Sequence, residues 1–214
     1  MTFLIQNAVN LAKAGIEVGT ELAWDYAVDA NLPRAFFINK FDDNEARFAK
    51  VLDALHDRWG KKICPLTIPM VKDGAVIGAI DLVAMEAHVF DNAGHHSIHP
   101  IPEESQEAAD KYRDMLLEAV ASADEDLMEK YFDGEEFTNE EILKGLRKGV
   151  IAGDISPVIC GSAHSGLGTM DMIRAIINFG PNPNEIRTER GVDEDGNAIE
   201  MHYDATGDTA IFVF

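Results

Sequence analysis

The stretch Ala35-Phe36-Phe37-Ile38-Asn39-Lys40-Phe41-Asp42 joins a short apolar run directly to a polar loop. Four consecutive apolar residues bounded by polar ones are typical of a parallel strand that is buried on both faces. In open α/β sheets, ligands bind beyond the carboxyl ends of the strands, which is where Asn39, Lys40 and Asp42 stand. The stretch therefore predicts an α/β fold with a ligand-binding loop at residues 39–42.

Helical patterns flank this strand on both sides. Glu17–Ala30 carries apolar side chains at helical spacing (Leu22, Ala23, Tyr26 and Ala27), and Pro33 then breaks the pattern. Phe48–Trp59 forms one apolar stripe, and Gly60 closes it. The order helix, strand, loop, helix predicts one piece of a doubly wound sheet.

A second strand and loop occur in the matching arrangement later in the chain. Pro157-Val158-Ile159-Cys160 is a short apolar run, and Gly161-Ser162-Ala163 begins a loop of small residues that extends to Gly168. Small residues let a backbone approach a ligand closely, so this loop is the second predicted contact. A helix beginning at Thr169 or Asp171 follows, for which we predict that Met172, Ile173, Ile176 and Ile177 face inward.

The region between the two loops has a different character. Ile63–Ile68 and Ala75–Leu82 predict strands joined by a turn at residues 72–74, and His88–Pro102 predicts a polar loop. Acidic helices are predicted at about 103–122, 125–131 and 139–152, because acidic residues outnumber basic ones fifteen to three between Glu103 and Glu141. Beyond the prolines at 181 and 183, strands are predicted at 198–203 and 209–214.

Composition excludes several classes of protein. The 214 residues are 46% apolar, which excludes a mostly disordered chain, and no apolar run approaches the roughly 18 residues of a membrane span. A net charge of −20 argues against binding phosphate backbones, so no direct DNA binding is expected. Cys64 and Cys160 lack metal-site spacing. We expect a soluble cytoplasmic protein without a metal site in this chain.

The two polar loops suit a guanine base. The Asp42 carboxylate can accept from guanine N1–H and N2–H₂, whereas adenine would leave it unpaired. The stem of Lys40 can cover one face of the base, and the Asn39 amide can brace neighbouring loops. The Ala163 N–H can donate to guanine O6, and the Ser162 hydroxyl can orient Asp42. Taken alone, residues 39–42 are also compatible with a helix cap formed by Asp42 or Asp43.

These motifs resemble the elongation factor G family of translational GTPases. The resemblance covers nearly the whole chain from about residue 16 and rests on five segments. They are the loops 39–42 and 157–163, Ile16–Glu21, Gly78–Val83 and Leu127–Tyr131. The two loops lie about 120 residues apart, whereas a plain βαβ unit needs only roughly 30. The long insert between them points to this family and its close paralogues.

The resemblance implies a fold and a division of the chain. The fold is an incomplete P-loop-GTPase-type parallel sheet with an α+β insertion, followed by the first strands of a β-barrel domain. Residues 1–60 are the latter elements of the GTP-binding domain, and 61–155 form the insertion. Residues 156–181 carry the last strand, loop and helix of that domain, and 182–214 are a linker and the start of the barrel. Since the chain ends inside an apolar strand, we expect a fragment of a longer protein.

The resemblance also implies a function. The intact protein would bind GTP and GDP with Mg²⁺ and use GTP to drive ribosomal translocation. Its partners would be the ribosome and, through the acidic insertion, the ribosomal stalk protein. A GTPase needs a P-loop of the form GxxxxGK followed by Ser or Thr, and these 214 residues contain no such string. Catalytic residues and Mg²⁺ ligands are therefore not assigned, and we expect the chain alone to be inactive.

Two departures and two alternatives remain at the level of sequence. Asp91–His95 imitates a DxxGH loop but lies after residues 39–42, in the wrong order for this family, and His95–His99 is interpreted as a solvated loop. Phe41 and Asp43 replace residues that are commonly Met and Arg in the family, which hints at a paralogue. The chain could instead be a non-catalytic module that docks on the ribosome or its stalk, or part of a peptide release factor three.

Overall fold

The computed structural model describes residues 4–8, 16–41, 47–72, 75–90, 96–182, 189–193 and 197–201. The chain divides into two compact units, residues 2–180 and residues 181–214 with Met1. Several predicted features lie outside the described residues: Asp42, the turn at Asp73 and Gly74, the Asp91–His95 segment, and the strand at 209–214.

The described residues form the following helices and strands. The helices are α1 (Val18–Asp29), α2 (Phe48–Trp59), α3 (Glu103–Ser122), α4 (Glu125–Phe132), α5 (Asn139–Ala152) and α6 (Thr169–Phe179). The strands are β1 (Leu4–Ala8), β2 (Arg34–Ile38), β3 (Ile63–Pro65), β4 (Thr67–Lys72), β5 (Ala75–Asp81), β6 (Glu86–Phe90), β7 (His96–His99), β8 (Ser156–Cys160), β9 (Glu189–Val192) and β10 (Ala198–Met201).

A parallel sheet contains both predicted ligand strands. Its order is β1-β2-β8-β3, and β2 lies beside β8 with Phe36 opposite Val158 and Ile38 opposite Cys160. Every residue of β2 and β8 is buried, as expected for strands that read as continuous apolar runs. The shared register brings the ends of β2 and β8 together, and the predicted α/β fold class with a parallel sheet is confirmed.

The segment predicted as one strand at 63–68 is two strands in different sheets. Residues 63–65 form β3 in the parallel sheet, and β4 begins an antiparallel sheet at Thr67. Leu66 stands between them, and its N–H donates to the Val158 carbonyl while its own carbonyl accepts from Leu82 N–H. Leu66 therefore satisfies its backbone groups in both sheets at once, which permits the chain to change sheet within one residue.

The antiparallel sheet has the order β4-β5-β6-β7 within the described residues. The prediction of a polar loop at His88–Pro102 was wrong, because β6 and β7 occupy much of that segment and pair with each other. His88 lies opposite Ala79 of β5 and is buried. A histidine interrupts the apolar pattern of a strand, but here its imidazole has a buried carboxylate partner on another element.

The three acidic helices occur where the sequence predicted them. Each has an apolar side within the core, where Leu116, Ile142 and Leu146 are fully buried. Helix α5 begins with a capping box, in which Thr138 accepts from Glu141 N–H and the Glu141 carboxylate accepts from Thr138 N–H. The acidic residues are thus compatible with ordinary amphipathic helices.

Helix α6 buries a face that differs in part from the predicted one, since Met172 is partly buried against the core as predicted. Ile173 is 39% exposed and Ile177 is 70% exposed, so their predicted inward orientation was wrong. The buried residues are Asp171, Ala175 and Phe179, which recur every four positions along the helix. Asp171 can lie on the inner face because His88 is its partner there.

The second unit contains an antiparallel hairpin in its described part. Strand β9 pairs with β10 with Gly191 opposite Ile199, and the predicted strand at 198–203 is observed as far as Met201. Strand β9 was not predicted from the sequence. In the described part of the chain, none of the helices is long and apolar enough to cross a membrane.

Candidate functional site

Asn39 joins the loops that follow β2 and β8. Its buried side-chain Oδ1 accepts two backbone N–H groups at 2.8 Å each, one from Lys40 and one from Ala163. One amide group therefore ties together residues that lie 124 positions apart in the sequence. Because Oδ1 accepts both bonds, the Nδ2 group of Asn39 is the donor left for other partners.

The backbone of the first loop is fixed on either side of Lys40. Phe41 N–H donates to the Gly161 carbonyl at 3.1 Å, and Gly161 N–H donates to the Ile38 carbonyl at 3.0 Å. The Phe41 ring is buried and packs against Phe48 of α2, with ring centroids 6.1 Å apart. Lys40 has a φ of +69° and an exposed side chain. A positive φ is unfavourable for lysine and commonly marks a functional loop.

The second loop, residues 161–168, is a compact turn built on Ser162. Ser162 N–H donates to the Leu167 carbonyl, and the Ser162 carbonyl accepts from Gly166 N–H, both at 2.8 Å. The buried Ser162 hydroxyl accepts from Ser165 N–H at 3.2 Å. A Cβ at Gly161 would lie 2.7 Å from the Phe37 ring, so this position requires glycine.

Both ends of the 161–168 loop contact the antiparallel sheet. At the first end, Cys160 N–H donates to Thr67 Oγ1 of β4 at 3.0 Å. At the second end, Asp171 in the first turn of α6 is 2.8 Å from His88 Nδ1 of β6, with side-chain exposures of 4% and 2%. Hydrogen bonding to Asp171 raises the pKa of His88, against the opposing effect of burial. Burial raises the pKa of the Cys160 thiol to about 12, so this thiol is protonated at neutral pH.

The structure brings four of the five predicted site residues to neighbouring loops. Asn39, Lys40, Ser162 and Ala163 follow the adjacent strands β2 and β8, while Asp42 lies outside the described residues. Ala163 N–H, the predicted donor to guanine O6, donates to Asn39 in this structure. No cluster of His, Cys, Asp and Glu among the described side chains could hold a metal ion.

The residues that hold the second loop from outside were not predicted from the sequence. Thr67 and His88 are 93 and 83 residues away from their partners, so no local pattern links them. One available signal was Asp171, an acidic residue among apolar ones at the start of a helix. An acidic residue is favourable in the first turn of any helix, and this signal therefore does not identify a buried partner.

Comparisons with known proteins identify the family of this chain. The family described as the elongation factor Tu GTP binding domain matches residues 8–182. The chain belongs to that family. Elongation factor G from Ureaplasma urealyticum serovar 10 is 35% identical over 202 residues, which are 94% of this chain and 29% of that protein. Elongation factor G from Ureaplasma parvum serovar 3 matches equally well. The resemblance to elongation factor G is confirmed.

A solved structure supports the fold of this GTP-binding-domain family member. The crystal structure of a protein from Thermus thermophilus superposes with a TM-score of 0.74 and is 32% identical. The match covers 81% of this chain and 26% of that protein. The chain thus spans about three tenths of the length of the elongation factors G that it matches.

Proposed function

We propose that this chain carries the guanine-recognition part of a translational GTPase similar to elongation factor G. The observation that carries the proposal is the Asn39–Ala163 hydrogen bond, which joins the loops after two adjacent parallel strands. Ligands of such sheets bind beyond the carboxyl ends of the strands, where these loops lie. Membership of the GTP-binding-domain family supports the same location.

In this proposal each site residue has its own role toward the base. Asp42 accepts from guanine N1–H and N2–H₂, and the stem of the exposed Lys40 covers one face of the ring. Asn39 braces the two loops, Ser162 forms the rim, and Ala163 N–H donates to O6. Since that N–H already donates to Asn39, the contact with O6 requires a shared hydrogen bond, of a kind that is common in proteins.

The proposed contacts concern the base of a nucleotide and not its phosphates. The two loops offer the Asn39 amide, the Ala163 N–H and the Lys40 stem, and the sequence contains no P-loop string. We assign no phosphate contact, no Mg²⁺ ligand and no hydrolytic step to these residues. Within the proposal, residues 1–60 and 156–181 belong to the GTP-binding domain, 61–155 form its insertion, and 182–214 begin the next domain. The whole protein uses GTP to drive ribosomal translocation.

Calorimetric titration with GDP, ADP and guanosine tests the guanine assignment. Without a phosphate cradle we expect a Kd no better than roughly 1 mM, or about −4 kcal/mol, for GDP and guanosine. Asp42→Ala should abolish this binding, whereas Asp43→Ala, which removes an adjacent carboxylate of the same charge, should leave it unchanged. Equal binding of GDP and ADP, or equal effects of the two substitutions, would contradict the assignment.

A second role is proposed for the acidic helix α3, as a contact for the ribosomal stalk protein. Glu103, Glu104 and Glu107 are exposed at its first turns, and acidic residues dominate this region of the sequence. An acidic surface repels RNA phosphates and suits a basic protein partner. Reversing these three residues to Lys should weaken binding to purified stalk protein. Reversing Glu17, Asp25 and Asp29 near and on α1 changes net charge equally and should have little effect.

A further inference from the structure

The 161–168 loop is held at both of its ends by one sheet. Before the loop, the buried Thr67 hydroxyl of β4 accepts from Cys160 N–H at 3.0 Å and contacts Cys160 Sγ at 3.6 Å. After the loop, His88 of β6 pairs with Asp171 at 2.8 Å. Strands β4 and β6 both pair with β5, so the two holding points belong to one hydrogen-bonded unit.

The His88–Asp171 pair is strongly constrained by its surroundings. Both side chains are almost completely buried, and Asp171 Oδ2 has no hydrogen-bond partner among the described residues. Arg174 also lies near this carboxylate, with its guanidinium 3.4 Å from Oδ1 and 44% exposed. A buried carboxylate with one unpaired oxygen depends strongly on its remaining partners, which gives His88 a large influence on the position of α6.

The start of α6 transmits this position to the loop. Met172 N–H donates to the Gly168 carbonyl, and Thr169 N–H donates to the Gly166 carbonyl. Gly166 in turn donates to the Ser162 carbonyl, so a continuous series of hydrogen bonds runs from the first turn of α6 to Ser162. A displacement of Asp171 therefore acts on the residues that form the proposed guanine rim.

We propose that the antiparallel sheet positions the guanine loop, with Thr67 and His88 as the positioning residues at its two ends. The proposal rests on the proposed function, since it concerns the loop to which guanine contact is assigned. Neither residue touches the base in this proposal. Each keeps residues 161–163 in the conformation in which Ala163 N–H faces Asn39.

Amide hydrogen exchange in the full chain tests this proposal without any nucleotide. Gly161, Ser162 and Ala163 each donate their N–H to a named acceptor, so their exchange reports opening of the loop. Thr67→Val removes the acceptor at the first end, whereas Thr67→Ser keeps it and serves as the matched control. His88→Gln replaces the imidazole that pairs with Asp171 at the second end. Arg174→Gln is its control, because it removes only the exposed partner of Asp171.

We expect Thr67→Val and His88→Gln to speed exchange of the three loop amides by about tenfold relative to that of Leu146 in α5. The two control variants should stay close to the unsubstituted chain. Unchanged loop exchange, or acceleration that is equal at Leu146 and in the loop, would overturn the proposal. Each end of the loop has its own variant. If one variant does not fold, the variant at the other end still tests the proposal.

A GDP and ADP titration of the same samples separates this proposal from the proposed function. Loop-specific acceleration with no preference for GDP in the unsubstituted chain would support the positioning role and contradict guanine recognition. A preference for GDP that Thr67→Val and His88→Gln weaken about tenfold, with loop-specific exchange, would support both. A preference for GDP with unchanged loop exchange would support guanine recognition and contradict the positioning role.

Discussion

The parallel and antiparallel sheets of this chain lie side by side, but their sequences reveal them very differently. Strands β2 and β8 are buried along their whole length and stand out as continuous apolar runs. Strand β6 carries a buried histidine, and β7 is exposed at residues 97–99, so neither has an apolar pattern. The parallel sheet carries the loops of the proposed site, whereas the antiparallel sheet holds one of those loops through two long-range contacts.

This difference shows that a ligand loop can be recognised from local sequence, whereas the residues that support it cannot. The residues that face a ligand come directly after strands and are visible in a short window of sequence. The residues that hold the loop in place are selected by packing between distant segments, and they are visible once the fold is known. Substitutions in each region can test this distinction between the residues that face a ligand and the residues that support the loop.

The largest effect is expected from breaking the His88–Asp171 pair on one side. His88→Leu leaves the Asp171 carboxylate buried without its imidazole partner, which typically costs about 3–5 kcal/mol of unfolding free energy. The double variant His88→Leu/Asp171→Leu removes both polar groups and should recover most of that loss. Urea unfolding of the two variants measures the difference. An unfolding free energy of His88→Leu within about 1 kcal/mol of that of the unsubstituted chain would contradict a strong pair.

The next effect concerns two glycines in the same loop. Gly168 and Gly166 both have positive φ values, +72° and +82°, but a Cβ at Gly168 would collide with the Cys160 carbonyl, whereas one at Gly166 meets open space. Gly166→Ala should cost about 1–2 kcal/mol from the left-handed backbone alone. Gly168→Ala should cost roughly 3 kcal/mol, because overpacking is added to that strain.

Thermal or urea unfolding distinguishes these two contributions. Equal losses for the two alanine variants would mean that the loop can move away from Cys160, and the support from the antiparallel sheet would then be weaker than the hydrogen bonds suggest.

A smaller effect is expected at the start of α5, where Thr138 and Glu141 form a capping box within one short stretch of the acidic region. Thr138→Ala removes the side chain that accepts from Glu141 N–H and should cost about 1 kcal/mol. Thr169→Ala is the matched control, since α6 has Gly168 at its N-cap and no side-chain cap. The control should stay within about 0.5 kcal/mol of the unsubstituted chain. A loss as large at Thr169 as at Thr138 would contradict the capping explanation.

Most of the helices and the buried strands could be predicted from the sequence, because their signals are local. The apolar runs before Asn39 and Gly161 predicted β2 and β8, and the apolar stripe from Phe48 to Trp59 predicted α2. The two polar loops were predicted to meet, and Asn39 and Ala163 do contact each other. The roles of these residues toward guanine stay predictions.

The missed features depend on partners far away in the sequence. The inner face of α6 includes Asp171 because His88 is its buried hydrogen-bond partner there, and a hydrophobic pattern places the exposed Ile173 and Ile177 inside instead. Much of β6 was predicted as a loop because its buried His88 resembles a solvated histidine in a single sequence, and β7 was missed because its residues 97–99 are exposed. The break between β3 and β4 depends on Leu66, which bonds to both sheets.

The smallest expected effect is a pH dependence that arises from the His88–Asp171 pair. The hydrogen bond with Asp171 raises the pKa of His88 above its ordinary value of 6.5, with Asp81 of β5 acting in the same direction and Arg174 of α6 opposing it. Below pH 6.5, His88 is protonated in the unfolded chain as well, so the stabilisation is fully present. As pH rises through the folded-state pKa, the imidazolium loses its proton and the stabilisation is lost.

Melting temperatures of the unsubstituted chain and of His88→Leu/Asp171→Leu, measured from below to above the ordinary histidine pKa, test this sign. The other histidines are common to both proteins, so the difference between the two melting temperatures isolates the pair. As pH rises, the melting temperature of the unsubstituted chain should fall relative to that of the double variant. A difference that is constant with pH would mean that His88 keeps one protonation state throughout, and the antiparallel sheet would then hold α6 by a neutral hydrogen bond. A shift in the opposite direction would mean that burial outweighs Asp171 and lowers the pKa of His88.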